Sequence, residues 1–234
     1  EVDDYHVYYS GEDGNHHWNG VGFILSPEVN RSVSSVCNIS DRVMMIQLNA
    51  TPVNINLVQV YAPTSRSSDE DLETFYTQVK QAQKTFKNKM VNIILGDMNA
   101  KVGEGTEDDI VGPYGLGTRN ERGDILVEFC KESQMCIMNT YFKMPKRRLY
   151  TWTAPAHCPE RIIRNQIDYI IVNKRYRNSI KYAKTYPGAD VKSDHNLLAG
   201  YVKVKLKKVI KRNKTKRLNL EIVKENGMSI SNAL

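Results

Sequence analysis

Cysteine is scarce in this chain. Its 234 residues include four, Cys37, Cys130, Cys136 and Cys158, and no two are spaced as CxxC. The spacing argues against a zinc site built from close cysteine pairs. So few cysteines in so long a chain also argue against a disulfide-stapled secreted scaffold. Cys130 and Cys136 stand in an apolar stretch, LVEFCKESQMCIMN, so reduced structural thiols in an intracellular protein are expected. No run approaches the roughly 18 consecutive apolar residues of a membrane-spanning helix. No Arg/Lys-then-apolar leader opens the chain, so secretion is not indicated. No internal repeat recurs at a fixed period. These absences set aside membrane proteins, collagens and coiled coils. What remains is ordinary for a soluble globular protein: 41% hydrophobic and 25% charged residues, in a chain long enough to bury a core without staples.

Charge is not evenly spread. The formal net charge is +7, which raises the question of an anionic partner. Residues 203–217 read KVKLKKVIKRNKTKR, nine basic residues and no acidic one. Of the chain's 33 basic and 26 acidic residues, 23 and 24 fall in 1–202, so the body is close to neutral. A like-charged run of this kind is a solvated segment, a nucleic-acid anchor or a nuclear signal. The last two imply a nuclear location.

Short apolar runs separated by turn residues predict strands at 6–10, 21–25, 42–48, 55–62, 91–97, 136–142, 150–153, 166–172 and 196–206. A capped, acid-rich start at Ser68 or Asp69 opens a helix to about Lys87, with Leu72, Phe75, Tyr76, Val79 and Ala82 on one face. A second helix runs from Asn120 or Glu121 to about Ser133. Nine strands and two helices in mixed order predict an α/β sandwich with mixed sheets rather than a strictly alternating doubly wound fold.

The residues able to do chemistry cluster at strand ends. GlyAspMetAsnAla at 96–100 directly follows an apolar strand, where open sheets place functional groups. On an extended continuation Asp97 and Asn99 project to one side. There they hold a metal or water, or else cap a local turn. SerAspHis at 193–195 precedes the last strand. His195 is a candidate for proton transfer or phosphate stabilisation, and Asp194 for a metal or water ligand. Asp168 lies in an apolar strand, where a carboxylate needs a partner, and an imidazole suits it. Tyr61 ends a strand before AlaProThr, and its hydroxyl either packs or reaches a phosphate. Lys146, Arg147 and Arg148, with Trp152 shortly after, suit contact with a nucleic-acid backbone and bases. A charged turn over a packed Trp is the plainer reading. His16 and His17 sit in a Gly/Asn/Asp-rich loop and read as surface residues.

Taken in order, these segments resemble a known family. NGVGFIL, SDRVMMIQL, QVYAPT, ILGDMNAKVG, GLGTRNERG, YTWT, NQIDYIIV and GADVKSDHNLL are similar to the endonuclease/exonuclease/phosphatase superfamily. The nearer likeness is to the endonuclease domain of RTE-type non-LTR retrotransposons and the related craniofacial development protein 2-like products. It runs from about residue 5 to 206. The resemblance implies a four-layer α/β sandwich of DNase I-like type with mixed β-sheets. It implies a DNA endonuclease whose cofactor is Mg²⁺, with Mn²⁺ as a substitute. DNA would be the partner, together with retroelement RNA or a reverse transcriptase in a longer polyprotein, and no membrane. By the same resemblance Asp97 orients or deprotonates the attacking water, and Asn99 holds that water and the phosphate. His195, paired to Asp168, stabilises the developing phosphorane. Tyr61 contacts the scissile phosphate, and Asp194 binds the metal, with Asp97 and Asn99 beside it.

The resemblance carries one expected departure. Family members open with a strand bearing Thr-Trp-Asn and a second ending in Gln-Glu, whose Glu ligates the metal. Residues 1–234 begin downstream of both, and Glu1 does not match that position. The expectation is an endonuclease domain over 1–205 without its N-terminal strands, impaired in activity, followed by a basic tail or linker over 206–234. The alternative is a domesticated, catalytically inactive nucleic-acid or chromatin-binding module.

Overall fold

The computed structural model describes residues 4–11, 19–87, 89–155, 162–189 and 193–205. Glu1, His16, His17, Cys158 and the tail from 206 onward lie outside the described residues. The chain begins with β1 (His6–Gly11), β2 (Gly20–Leu25), the one-turn helix α1 (Pro27–Asn30), β3 (Val33–Asn38), β4 (Val43–Leu48) and β5 (Ile55–Tyr61). Helix α2 (Asp69–Gln83), β6 (Val91–Asp97), α3 (Glu121–Glu132) and β7 (Met135–Ile137) follow. Then come β8 (Trp152–Thr153), β9 (Arg164–Asn165), β10 (Asp168–Asn173), β11 (Ile180–Tyr186) and β12 (Leu197–Val202).

One six-stranded sheet, in the order β3-β4-β5-β6-β10-β7, organises the molecule. Its pairs are antiparallel except β5 with β6, which run parallel and are joined by α2. A parallel pair needs such a crossover, and the amphipathic stripe of α2 supplies it. Leu72, Phe75 and Val79 of α2 and Leu126, Val127 and Phe129 of α3 pack on one face of the sheet, against Val58, Val60, Ile94 and Ile171. The opposite face carries two hairpins. In β1-β2, the alternating residues Val21, Phe23 and Leu25 cover Met44, Ile46 and Leu48. In β11-β12, Ile180 and Val202 lie over Ile93, Leu95 and Ile170. The described residues thus build a helical layer, the large mixed sheet and a hairpin layer.

Several expectations need adjustment. Helix α2 ends at Gln83, four residues before the expected Lys87. There Thr85 Oγ1 donates back to the carbonyl of Ala82 at 2.8 Å, one way hydroxyl residues compete with continued helix. The strand expected at 136–142 is only β7, because Met138–Tyr141 turns into a 3₁₀ helix. Three strands went unseen, β3, β9 and β11, and β9 is only two residues long. β3 is exposed along nearly its whole length and lacks an apolar face to betray it. β11 carries a register shift between Ile180 and Tyr182, which breaks the two-residue period on which strand recognition depends.

Candidate functional site

Three adjacent strands bring the site together. In the antiparallel register of β6 and β10, Asp97 stands directly opposite Asp168. In the parallel register of β5 and β6, Tyr61 stands beside Asp97. Residues in register share a face, here the face covered by the hairpins. Gly96 makes the approach possible. It sits at φ +140°, and a Cβ there would lie 1.9 Å from the carbonyl oxygen of Val60. Only glycine fits so close to the neighbouring backbone.

His195 enters from the segment before β12. Its Nδ1 is 3.1 Å from Asp168 Oδ2, and its Nε2 is 3.9 Å from Asp97 Oδ2. The imidazole therefore bridges two carboxylates. The side chains of Asp97 and Asp168 are 14% and 19% exposed and that of His195 is 33% exposed, so the cluster is sheltered yet reachable. Burial, with the nearby Asp168 charge adding to it, pushes the Asp97 carboxyl up to about 7. The backbone N–H of Asn99 and the His195 ring work in the opposite direction. The hydrogen bond to Asp168 raises the His195 pKa, against the opposing effect of burial.

Each remaining candidate has a definite place. Asn99 does not continue the strand. It turns into the left-handed region at φ 44°, where its backbone N–H donates to Asp97 Oδ1 at 2.8 Å. Its Nδ2 donates to the Ala62 carbonyl at 2.8 Å, so its side chain reaches across to the end of β5. Of the two readings the sequence left open for 97–99, the extended continuation gives way to the local turn, here of Asx type, which asparagine tolerates. Tyr61 packs in the hairpin layer with the Arg42 guanidinium 5.2 Å from its ring centre. Asp194 is not one of the three groups whose ligand atoms crowd together; it is exposed, and one of its carboxylate oxygens accepts from Trp152 Nε1 at 2.8 Å. Lys146 and Arg147 are exposed on a 3₁₀ turn. Arg148 is not equivalent to them: it donates to the Thr185 carbonyl at 2.9 Å and lies over the Tyr186 ring, which ties the turn to β11.

Sequence reasoning missed the buried supports of this cluster. The fully buried Thr151 hydroxyl accepts from the backbone N–H of both Ile167 and Asp168, each at 3.0 Å. Its carbonyl accepts from Asn196 N at 2.7 Å, beside His195. Asn139 replaces a missing strand partner along the upper half of β10: Nδ2 donates to Asp168 O, and Oδ1 accepts from Ile170 N. The Tyr169 hydroxyl donates to Gln166 O at 2.7 Å and accepts from Val102 N at 3.1 Å, pinning the loop after Asp97. The only sequence signal for these was a polar residue within or beside an apolar run, which also fits a surface turn.

Asp97, Asp168 and His195 offer ligand atoms that all lie within 4.8 Å of one another. Two carboxylates at this separation repel each other, which adds to the larger effect of burial in raising the Asp97 pKa. A hard divalent cation would relieve that repulsion, so the donor set fits one.

The mixed sheet between helices and hairpins, with an Asp–Asp–His cluster at the strand ends, defines a DNase I-like α/β protein. The fold matches the endonuclease domain of TRAS1, a telomere-specific non-LTR retrotransposon, at TM-score 0.64 and 15% identity, covering 88% of this chain and 83% of that one. It matches the AP endonuclease LMAP from Leishmania major at TM-score 0.65 and 11% identity, covering 87% and 72%. The 3′ phosphatase NExo from Neisseria, solved with a product DNA hairpin, matches at TM-score 0.61 and 15% identity, covering 86% and 80%. A family model described as endonuclease-reverse transcriptase matches residues 55–199, and the chain belongs to that family. Craniofacial development protein 2 from Bos taurus is 39% identical over 220 residues, which is 94% of this chain and 36% of that protein. The protein of the same description from Tragulus javanicus is 39% identical over 206 residues, 88% of this chain and 35% of that one. The chain thus spans about a third of the length of the curated relatives it matches.

Proposed function

We propose that this chain is a divalent-metal-dependent DNA endonuclease that hydrolyses a phosphodiester and leaves a 3′-hydroxyl, as a retroelement needs for priming. The observation that carries the reading is His195 bridging Asp97 and Asp168 at the carboxyl end of β6 in a nuclease-type fold. Asp97, held near 7 by burial and Asp168, is poised to accept a proton from water at neutral pH. Asn99 commits an Nδ2 hydrogen to Ala62 and keeps its amide oxygen to accept from that water. His195, its Nδ1 held by Asp168, presents Nε2 to the negative charge that develops on the phosphoryl oxygens. Asp97, Asp168 and Asp194 would hold Mg²⁺ or Mn²⁺, which when bound supplies electrostatic stabilisation of that charge. Exposed Lys146 and Arg147 supply contact with the DNA backbone.

Nicking of supercoiled plasmid in Mg²⁺ tests this directly. Asp97→Ala and His195→Ala should each lower the rate by about a hundredfold or more, within the range for a lost general base or charge-stabilising group. The nicked end should prime a DNA polymerase without prior phosphatase treatment. Nicking equal in wild type and both variants would sink the reading. Tight DNA binding with no nicking would instead favour a catalytically inactive binding module.

A further inference from the structure

The sequence offered Trp152 either for DNA contact or for packing under a charged turn; in the structure its polar edge meets Asp194. Its indole Nε1 donates to Asp194 Oδ2 at 2.8 Å. The same two-residue strand also holds the backbone of the 194–196 segment. Thr153 N donates to Asp194 O at 2.9 Å, and Trp152 forms an antiparallel bridge with His195. β8 is itself anchored by pairing with β9, Trp152 opposite Asn165.

Asp194 is an exposed aspartate, and such a side chain ordinarily samples several rotamers. The indole N–H is a donor only and cannot rotate away from its ring. It binds one carboxylate oxygen and leaves the other for a second partner. His195 takes Asp168 as its partner, while Asp194 takes Trp152. Asp194 directly precedes His195, and the Trp152–His195 bridge and the Thr153 N–H to Asp194 carbonyl bond hold its backbone beside the cluster.

We infer that Trp152 is a positioning residue that fixes the Asp194 carboxylate for a divalent cation. The inference rests on the metal-dependent reading above. Residues that orient a ligand from behind commonly change metal affinity by about tenfold or more when removed. Trp152→Phe keeps an aromatic ring but removes the N–H together with part of the indole, and the Asp194→Ala background separates the hydrogen bond from the lost packing.

The experiment uses the full chain and Mn²⁺ as the probe, with binding followed by electron paramagnetic resonance. Trp152→Phe should weaken Mn²⁺ binding about tenfold. Asp194→Ala should weaken it at least as much, and adding Trp152→Phe to Asp194→Ala should cost nothing further. In nicking assays the Trp152→Phe variant should need more Mg²⁺ yet approach the wild-type rate at saturation. Unchanged Mn²⁺ affinity in Trp152→Phe overturns the inference. So does an equal loss in the Asp194→Ala background, or a loss confined to DNA affinity measured in chelator. If wild type binds Mn²⁺ with this pattern but does not nick DNA, the nuclease reading fails while the positioning role stands. If wild type does not bind Mn²⁺, both fail.

Discussion

Single residues carry the strain and the buried polarity that hold Asp97 and Asp168 face to face. Gly96→Ala would drive a Cβ into the backbone of Val60 and force an unfavourable φ. A backbone oxygen cannot step aside as a flexible side chain can. The expected loss is about 3 kcal/mol or more in urea denaturation, and a variant as stable as wild type would refute the close-approach argument. Thr151→Val leaves two buried N–H groups without an acceptor and should cost about 2 kcal/mol or more. Thr151→Ser should recover most of that. A pH series in chelator reads the carboxylate pair. The folded chain keeps a proton on Asp97 up to about 7, whereas the unfolded chain sheds it near pH 4. The folded state therefore binds more protons over that interval, and stability falls as pH rises through it. His195 acts in the same direction. Its pKa is raised, so its contribution is whole below about pH 6.5 and fades as pH climbs past the folded value. Denaturation midpoints should drop from pH 5 to pH 8, and Asp97→Asn should flatten the drop; a rise would contradict the assigned electrostatics. Asp97, Asp168 and His195 were visible in the sequence because ionisable groups interrupt apolar runs there. Thr151 and Asn139 were not, because their task is set by backbone groups that come near only after folding.

At the scale of elements, local signals were legible where they are self-contained. Ser68 caps α2 by accepting from Asp71 N at 3.1 Å, while Asp71 Oδ2 accepts from Ser68 N. The capped, acid-rich helix start was readable, with Ser68 and Asp69 both open as the cap. Ser68→Ala should cost about 1 kcal/mol, checked by thermal denaturation, and a loss below the error of the method would show that the cap is dispensable. β5 and β6 were legible for the same reason, as compact apolar runs. β3 and β11 were hidden because their evidence is spread across partners. β3 borrows its place from the edge of β4, and β11 from the bulged register with β12. The turn at Asn99 was legible only as one of two alternatives, since a two-residue spacing fits both an extended chain and a tight turn.

For the whole molecule, charge and topology separate two questions that composition had joined. The net charge of +7 comes from the segment after residue 202, while the cluster at the strand ends is acidic. Deleting residues 206–234 removes seven of the nine basic residues in 203–217. It should lower DNA affinity and flatten the dependence of log affinity on log salt, each lost phosphate contact removing about 0.9 from the slope. An unchanged slope in fluorescence anisotropy would place the DNA contacts elsewhere. The order in which the site's parts arrive along the chain has a consequence for assembly. Asp97, Asp168 and His195 meet only through pairings between distant stretches, and such contacts form slowly because long loops must close first. During synthesis the strands up to β6 can pair before the SerAspHis segment exists. In refolding, the apolar core should therefore become protected from exchange before the imidazole finds its carboxylates, making the site the last thing the chain learns to build.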